Sequence, residues 1–583
     1  MTPSDRLHLG IGKAPTDGEG PAPEVPRVGV FVCHCGRNIG SVVDVPKVVQ
    51  FASKLPSVVH AEENLYSCSE DGLQSIKSAI KEHDLNRVLV ASCTPRTHAP
   101  LFQSACVEAG VNKYLFELVN IRDQCSWVHM HQPDLATEKA MDLVRMGVAR
   151  AAILEPLVDT EIDVIPKAIV LGGGVSGMTA ALNLANQGID VHLVEKEKEL
   201  GGILNRVATV FPSNKRAEEL IGPMATAIEE HSRITVHLDS AVDAITGYIG
   251  DYTCKVRDEE IRAGTMIVAT GSDLLVPKGH YGYGTHPGIK TQLELEETIK
   301  GGEALPRRIL MIQCVGARTE GGEGKSYCSK ICCMTAIKNA LLIKERDHDS
   351  EIYVLYRDIM APGAENEALY RRAMESGVMF VKFSEDDKPL VTPVDGGLQV
   401  KVLEPLMKEN YQLETDLVVL STPVVPRADS GDLSRMLKVP IDADGFFLEA
   451  HAKLRPLEFA TDGIFVCGSA RFPVMIPDAI SEACGAAAKA SIPIRKGRTR
   501  GEAIVAWVDE QLCVGCGTCE RVCEFGAPSL EQTADGLVVS TINEILCKGC
   551  GTCAASCPSR AIFLHHFSDK QVTRQIEAFG EGA

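Results

Sequence analysis

The chain carries no surplus of positive charge: 59 Lys and Arg stand against 78 Asp and Glu, a net −19 at pH 7. A phosphate-rich surface is bound through a basic footprint that displaces counterions, so this balance excludes nucleic acid as the partner. No uninterrupted apolar run approaches the roughly 18 residues of a spanning helix, which excludes a membrane-spanning segment. Residues 1–26 lack a basic stretch followed by an apolar core, so the expected location is the cytoplasm. What remains is ordinary globular composition, 45% hydrophobic and 23% charged over 583 residues. At about 150 residues per domain it predicts about four compact units.

Cysteine departs from that ordinariness. There are 21, far more than a reducing compartment needs, and disulfides are rare there. Many fall into repeated short spacings, which makes metal ligation the leading explanation. Residues 1–26, rich in Pro, Gly and acidic side chains, read as a disordered tail. Residues 27–150 alternate apolar runs (RVGVFV, RVLVAS) with amphipathic stretches, the pattern of an α/β domain with buried parallel strands. Cys33 and Cys35 (VCHCG) and Cys93 (ASCTPR) fall just past those strands, where doubly wound sheets bind ligands. Cys68 and Cys125 lie in similar contexts. Residues 151–500 open a second unit, 501–566 form a third, and 567–583 are a short polar tail.

The third unit is an internal repeat. Cys513, Cys516, Cys519 and Cys523 fit C-x2-C-x2-C-x3-C, and Cys547, Cys550, Cys553 and Cys557 repeat it, with Pro558 completing the bacterial ferredoxin signature. In two-cluster ferredoxins the fourth cysteine ligates the other cluster. One [4Fe–4S] therefore falls to Cys513, Cys516, Cys519 and Cys557, and the other to Cys547, Cys550, Cys553 and Cys523. Paired four-Cys zinc sites are the competing reading, but these ordinarily use C-x2-C pairs separated by longer gaps.

In the second unit Gly172, Gly174 and Gly177 give G-x-G-x-x-G after the strand KAIVL and at the start of a helix that includes Ser176. Glu195 closes the next strand about 20 residues on, where an acid hydrogen-bonds a ribose hydroxyl, with Lys196 beside it. The turn alone does not separate FAD from NAD(H). Two stretches decide for FAD by resemblance: GTMIVATGS, holding Ala269, Thr270 and Gly271, and ATDGIFVCGSAR followed by PDAISEACGAAAKAS, holding Gly468 and Ala479. They are similar to the later flavin signatures of thioredoxin-reductase-like flavoproteins, with Ser469 in place of the usual Asp. The helix after Pro477 would aim its positive end at the flavin, and Gly201 and Gly202 would bring backbone close to it. A disulfide reductase of that type also needs a redox C-x-x-C and a second nicotinamide-binding glycine turn. Neither is visible: in RRILMIQCVGAR the glycine turn is replaced by Gln313-Cys314-Val315-Gly316. Cys314 instead begins C-x13-C-x3-C-C with Cys328, Cys332 and Cys333, read as a third [4Fe–4S] site against the alternative of buried thiols. Gly324-Lys325-Ser326 is not a phosphate-binding P-loop, because Thr319 stands where its first glycine is required.

From residue 27 on, the whole pattern resembles the A-type flavoprotein component of heterodisulfide reductase. VFVCHCGRNIG, ENLYSCSEDG, ASCTPRTHAPLF, VNIRDQCSWVHM, LGGGVSGMTAALNLA and the QC…YCSKICCMTAIKNA block carry the resemblance together with the C-terminal repeat. The methanogen form holds an additional ferredoxin insert for which residues 235–262 are too short; this is similar to the shorter form of anaerobic bacteria. The implied fold is an N-terminal α/β domain, a thioredoxin-reductase-like Rossmann-type FAD domain and a C-terminal α+β 2[4Fe–4S] ferredoxin domain. The resemblance further implies an N-terminal cluster, for which Cys33, Cys35, Cys68, Cys93 and Cys125 compete for four places, with zinc or free thiols as alternatives. Cys106, Cys254, Cys467 and Cys484 are read as structural, and Trp127 and His129 as neighbours of that cluster.

The implied activity is electron transfer with FAD as reaction centre and no catalytic side chain, most specifically electron bifurcation or confurcation. The alternative is a passive relay feeding a quinone- or acyl-CoA-reducing partner; a plain pyridine-nucleotide disulfide reductase is third. Implied partners are B- and C-type subunits, ferredoxin, an electron-input module such as a hydrogenase, formate or NADH dehydrogenase, and a second copy of the chain. Segment 567–583 is expected either to lie against such a partner or to be solvated.

Overall fold

The computed structural model describes residues 25–319 and 324–580, so most of the tail expected over 1–26 lies outside the described residues. The chain divides into two compact units, Met1–Thr160 with Glu502–Ala583, and Glu161–Gly501.

The first unit begins with a parallel sheet of β1 (Val28–Cys33), β2 (Val58–Asn64), β3 (Arg87–Ser92) and β4 (Phe116–Asn120) in the order β2-β1-β3-β4. Every residue of β1 and β3 is buried, as expected of Val-rich strands covered on both faces. Helices α1 (Val45–Ala52), α2 (Glu70–Glu82), α3 (Pro95–Glu108) and α4 (Pro133–Ala151) return the chain. Asp44 and Ser69 start the first two by accepting from the Lys47 and Gly72 backbone N–H groups. All four strands run the same way, so the residues that follow each of them emerge at one edge.

The second unit contains two parallel five-stranded sheets. The first consists of β5 (Lys167–Leu171), β6 (Asp190–Val194), β7 (Ile234–His237), β8 (Thr265–Val268) and β14 (Ile464–Val466), ordered β7-β6-β5-β8-β14. The second consists of β9 (Ile289–Thr291), β10 (Arg308–Ile312), β11 (Glu351–Tyr356), β12 (Met379–Lys382) and β13 (Leu417–Leu420), ordered β9-β13-β10-β11-β12. Helices α5 (Val175–Asn186), α6 (Ile331–Arg346) and α7 (Ile476–Lys496) belong to this unit. On the first sheet α5 and α7 meet through small side chains, Ala180 and Ala181 in one cluster with Ala483, Ala486 and Ala487, so the two backbones approach closely. Residues 242–263 form a three-stranded antiparallel sheet with Cys254 buried in it.

The chain then returns to the first unit as two matched halves. Ala506–Val508 pairs with Ile562–Leu564, Pro528–Gln532 pairs with Val538–Ile542, and helices Thr518–Val522 and Thr552–Ser556 lie against each other. The segment expected as a short polar tail contains α8 (Asp569–Gly580), packed along α4 of its own chain. The reason is visible in its partners: Gln571 and Ala578 are buried, and Arg145 donates to the Ala578 carbonyl at 3.4 Å. Among the described residues, no helix is long and apolar enough to cross a membrane.

Candidate cofactor cavity and thiolate groups

At the carboxyl edge of the first sheet of the second unit lies a cavity of about 1220 Å³, and the glycine turn after β5 forms part of its wall. Gly172 has φ +104°, and a Cβ there would run into the Ala269 carbonyl; a Cβ at Gly177 would overlap the Gly172 carbonyl oxygen; one at Gly174 would meet nothing within 4 Å. Two glycines thus close the turn against helix and strand, while the third leaves bare backbone facing open space, the division of labour a pyrophosphate cradle needs. Glu195, 7% exposed, accepts from the Gly173 N–H at 2.6 Å and the Glu197 N–H at 2.8 Å. A carboxylate offers about four lone-pair sites, so it stabilises the turn and still has capacity for a hydroxyl.

Ser176, Lys196, Gly201, Gly202, Ala269, Thr270, Gly271 and Ala479 also line the cavity. The amino end of α7, with Pro477 in its first turn, opens onto it through Met475 and Ile476. Of the expected set, Gly177 and Gly468 do not touch it. Gly468 lies behind Ser176, and its N–H donates to Glu482 at 2.9 Å, while neighbouring Ser469 takes the place at the wall. Thr270 contributes a buried hydroxyl without a hydrogen-bond partner, an orphan of the kind a bound cofactor relieves. Volume, cradle and orphan together fit a dinucleotide flavin.

Sequence reasoning missed a buried polar network on the same wall. Lys338, in α6, pairs with Glu296; both are 5% exposed or less. Lys338 Nζ also donates to the Thr209 carbonyl at 2.8 Å, and Glu296 accepts from the Ala208 N–H at 3.0 Å. Burial pushes the Lys338 ammonium below its usual range, and Glu296 opposes that shift. The available signal was a lone lysine in the apolar run MTAIKNALLI; its partner lies 42 residues away and is marked by nothing local.

The thiolate group of this unit starts at Cys314, two residues beyond β10, with φ +59°. Cys314, Cys328, Cys332 and Cys333 interact electrostatically with one another. Burial first, then Cys333, pushes the Cys314 thiol up to about 11. Hydrogen bonding to Cys333, burial and the neighbouring thiols raise Cys332 well above the usual thiol range. The hydrogen bond with Cys332 pulls Cys333 the other way, down to about 7; at Cys314 and Cys332 burial disfavours the thiolate, a cost that a cationic metal would compensate. Cys332 is also part of the flavin-sized cavity's wall.

In the first unit the edge where β1, β2 and β3 end gathers Cys33, Cys35, Cys68 and Cys93. Cys68 and Cys93 are each raised mainly by burial; Cys93 feels the other three thiols, and Cys68 feels Cys33 and Cys35. The Cys33 sulfur accepts from the Cys35 and Ser67 N–H groups, both at 3.3 Å. Arg122 reaches Cys35 Sγ at 3.8 Å, held by Asp123 at 2.9 Å and stacked on Trp127 at 4.8 Å. Cys125 stays apart: its Sγ donates to the Ala136 carbonyl at 3.1 Å in the apolar core, and burial lifts it to about 11. His129 bonds Gln132 at 3.3 Å. Cys106, Cys254 and Cys467 are buried core residues, whereas Cys484 is exposed.

In the matched halves, Gly515 and Gly549 (φ +63° and +60°) press against the Val538 and Ile504 carbonyls in the same way. Cys513 accepts from the Ser540 N–H and Cys547 from the Ala506 N–H, each at 3.3 Å. Cys553 feels Cys547, Cys523 and Cys550, so the cysteine that ends the first motif sits with the first three of the second. Among the described residues no group of His, Cys, Asp or Glu converges on a single ion; a cubane asks for a wider spacing, because its four thiolates bind four different irons.

Residues 166–488 match the pyridine nucleotide-disulphide oxidoreductase family, and residues 512–562 the 4Fe-4S dicluster domain. The second of two iron-sulfur A subunits of CoB–CoM heterodisulfide reductase from Methanopyrus kandleri is 38% identical, covering 95% of this chain and 99% of that one. The A subunit of the H2:CoB-CoM heterodisulfide,ferredoxin reductase of Methanothermobacter thermautotrophicus is 38% identical over 87% of this chain and 91% of its own. Among solved structures, Lactococcus lactis thioredoxin reductase covers 57% of this chain and all of its own at 19% identity and a TM-score of 0.42. This chain belongs to the family of heterodisulfide reductase A subunits, and is a flavin-dependent iron–sulfur oxidoreductase component.

Proposed function

We propose that the chain performs flavin-based electron bifurcation or confurcation within a heterodisulfide-reductase-like complex. The observation carrying this reading is Cys332: one side chain belongs both to the thiolate group after β10 and to the wall of the flavin-sized cavity. FAD bound there would supply the exchange between paired and single electrons. The residues that would hold it are the turn at Gly172 and Gly174, Ser176 at the start of α5, Glu195 with Lys196, Gly201 and Gly202, Ala269 to Gly271, and Ala479, with Gly177 and Gly468 supporting from behind. The amino end of α7 places positive potential on that wall and favours a reduced, more negative ring, whereas the Lys338 charge there is matched by Glu296.

Four [4Fe–4S] sites follow from the thiolate groups: the two ferredoxin-type sets given above, Cys314 with Cys328, Cys332 and Cys333, and Cys33 with Cys35, Cys68 and Cys93. Cys125 drops from the last set, since its sulfur is engaged in the core. A chain with this many iron-bound thiolates belongs in a reducing compartment, which supports the cytoplasm. The relatives' names support a complex with further components, read here as B- and C-type subunits, ferredoxin, an electron-input dehydrogenase or hydrogenase module and a second copy. The test is an anaerobic redox titration of the holoprotein by absorbance and EPR. Bifurcation predicts that the flavin takes its electrons as a pair with no stable organic radical; a radical signal persisting across a broad potential range refutes it in favour of a one-electron relay.

A further inference from the structure

In the first unit, the segment that leaves β4 at the thiolate edge is built around one side chain, Arg122. Asn120, the last residue of β4, accepts from the Arg122 and Asp123 N–H groups at 3.1 and 3.0 Å, and its amide donates to one oxygen of Asp123 at 3.1 Å. The other oxygen of Asp123 takes the Arg122 Nε–H at 2.9 Å. The chain then makes one widened turn in which N–H groups reach back five residues, Ser126 to the Ile121 carbonyl at 3.1 Å and Trp127 to the Arg122 carbonyl at 3.0 Å. Such turns are rare and gather at functional sites. This one returns the Trp127 ring over the guanidinium, 4.8 Å away. Held from these sides, Arg122 Nη1 meets Cys35 Sγ at 3.8 Å, and its charge also acts on Cys68 and Cys93.

We propose that Arg122 is a positioning residue that raises the redox potential of the first unit's cluster, acting through the Cys35 sulfur. The proposal rests on the reading of Cys33, Cys35, Cys68 and Cys93 as the ligands of one [4Fe–4S] site. A cubane held by four thiolates is anionic and gains one more negative charge on reduction. A fixed cation and a hydrogen bond to a ligand sulfur therefore stabilise the reduced form more than the oxidised one. Asp123 does not cancel the effect: its side chain is 33% exposed against 21% for Arg122, so water screens the carboxylate more than the guanidinium. Arg122 stays protonated at any working pH, so the step it assists is one electron onto the cubane with no proton moved. Cys33 takes two backbone N–H donors; Cys35 takes the side-chain cation.

The test is an anaerobic titration of the holoprotein, dithionite supplying the electrons, read by low-temperature EPR and iron content. Wild type is compared with Cys93→Ala, Arg122→Gln, Arg122→Lys and Arg37→Gln. The signal that Cys93→Ala abolishes belongs to this cluster. Arg122→Gln should lower its reduced-to-oxidised ratio at a fixed potential by about tenfold, a midpoint about 59 mV more negative, with iron unchanged and the other signals in place. Arg122→Lys keeps the charge and loses the planar fork, so it should shift the same signal the same way by about threefold. Arg37, exposed and two residues beyond Cys35, is the control for charge without position, and its loss should shift the midpoint less than either variant. An unchanged midpoint in Arg122→Gln, or in Arg122→Lys where the Gln variant loses iron, overturns the proposal and leaves the cluster standing, as does an equal shift in Arg37→Gln. If Cys93→Ala keeps every signal and all its iron, the cluster reading falls and this proposal falls with it.

Discussion

Lys338→Met tests whether the Glu296–Lys338 pair is a structural necessity of the flavin cavity. The change keeps side-chain length and removes the charge, leaving the Glu296 carboxylate buried with only the Ala208 N–H as partner. Breaking a buried pair from one side costs about 3–5 kcal/mol, because the remaining ion is uncompensated. Replacing both members, Lys338→Met with Glu296→Gln, removes that unpaired charge and should recover most of the loss. The assay is anaerobic urea unfolding of the holoprotein followed by flavin fluorescence, with the double-mutant cycle giving the coupling. The pH dependence has a definite sign. The folded-state pKa of Lys338 lies below its ordinary 10.5, so between those two values the unfolded chain binds more protons and stability rises with pH. Wild type should therefore gain stability through that window relative to Lys338→Met. A single variant losing less than about 1 kcal/mol, or a double variant as unstable as the single, would refute the reasoning.

The glycine turn gives a second contrast. Gly177→Ala, which drives a methyl into the Gly172 carbonyl, should yield protein without flavin, whereas Gly174→Ala should fold normally and show only weakened flavin retention by absorbance after gel filtration. Cys93→Ala should lower the iron content by about one cubane, four irons, while Cys125→Ala leaves iron unchanged; equal iron in both variants would contradict the assignment of Cys33, Cys35, Cys68 and Cys93. Gly515→Ala and Gly549→Ala should each disturb one ferredoxin-type cluster to a similar degree by EPR, because each new methyl meets a backbone carbonyl in the corresponding position.

What could be read from the chain depended on how local the signal was. The ferredoxin motifs and the G-x-G-x-x-G turn are short, and each spacing is itself the geometry, so strand, turn and helix stood where the residues placed them. The Val-rich runs of β1 and β3 announced a doubly covered parallel sheet for the same reason. Cys125 was ambiguous because loop context does not report direction: its sulfur turns inward to the Ala136 carbonyl, a contact made by the folding of α4 and invisible in RDQCSW. Segment 567–583 looked polar because only a narrow stripe including Gln571 and Ala578 is buried. The Glu296–Lys338 pair was illegible for a third reason, since nothing in either segment encodes a partner 42 residues away.

The two sheets of the second unit show how one architecture is turned to two ends. In the first, Gly172 and Gly174 leave bare backbone on the cavity wall, and Gly177 lets the following helix pack against the turn. In the second, the same crevice opens with Gln313-Cys314-Val315-Gly316, and Gln313 is 1% exposed with both its side-chain oxygen and nitrogen unpartnered. Such a pair of orphans in a core is costly unless another polar group completes it. Beside it, the Arg318 guanidinium bonds Asp358 at 2.8 Å and also interacts with the Cys314 sulfur. A positive charge at that point favours the thiolate form of Cys314, so neutralising it by Arg318→Gln should alter the EPR signature of the Cys314 group, and an unchanged signature would show that this charge does not act on that group.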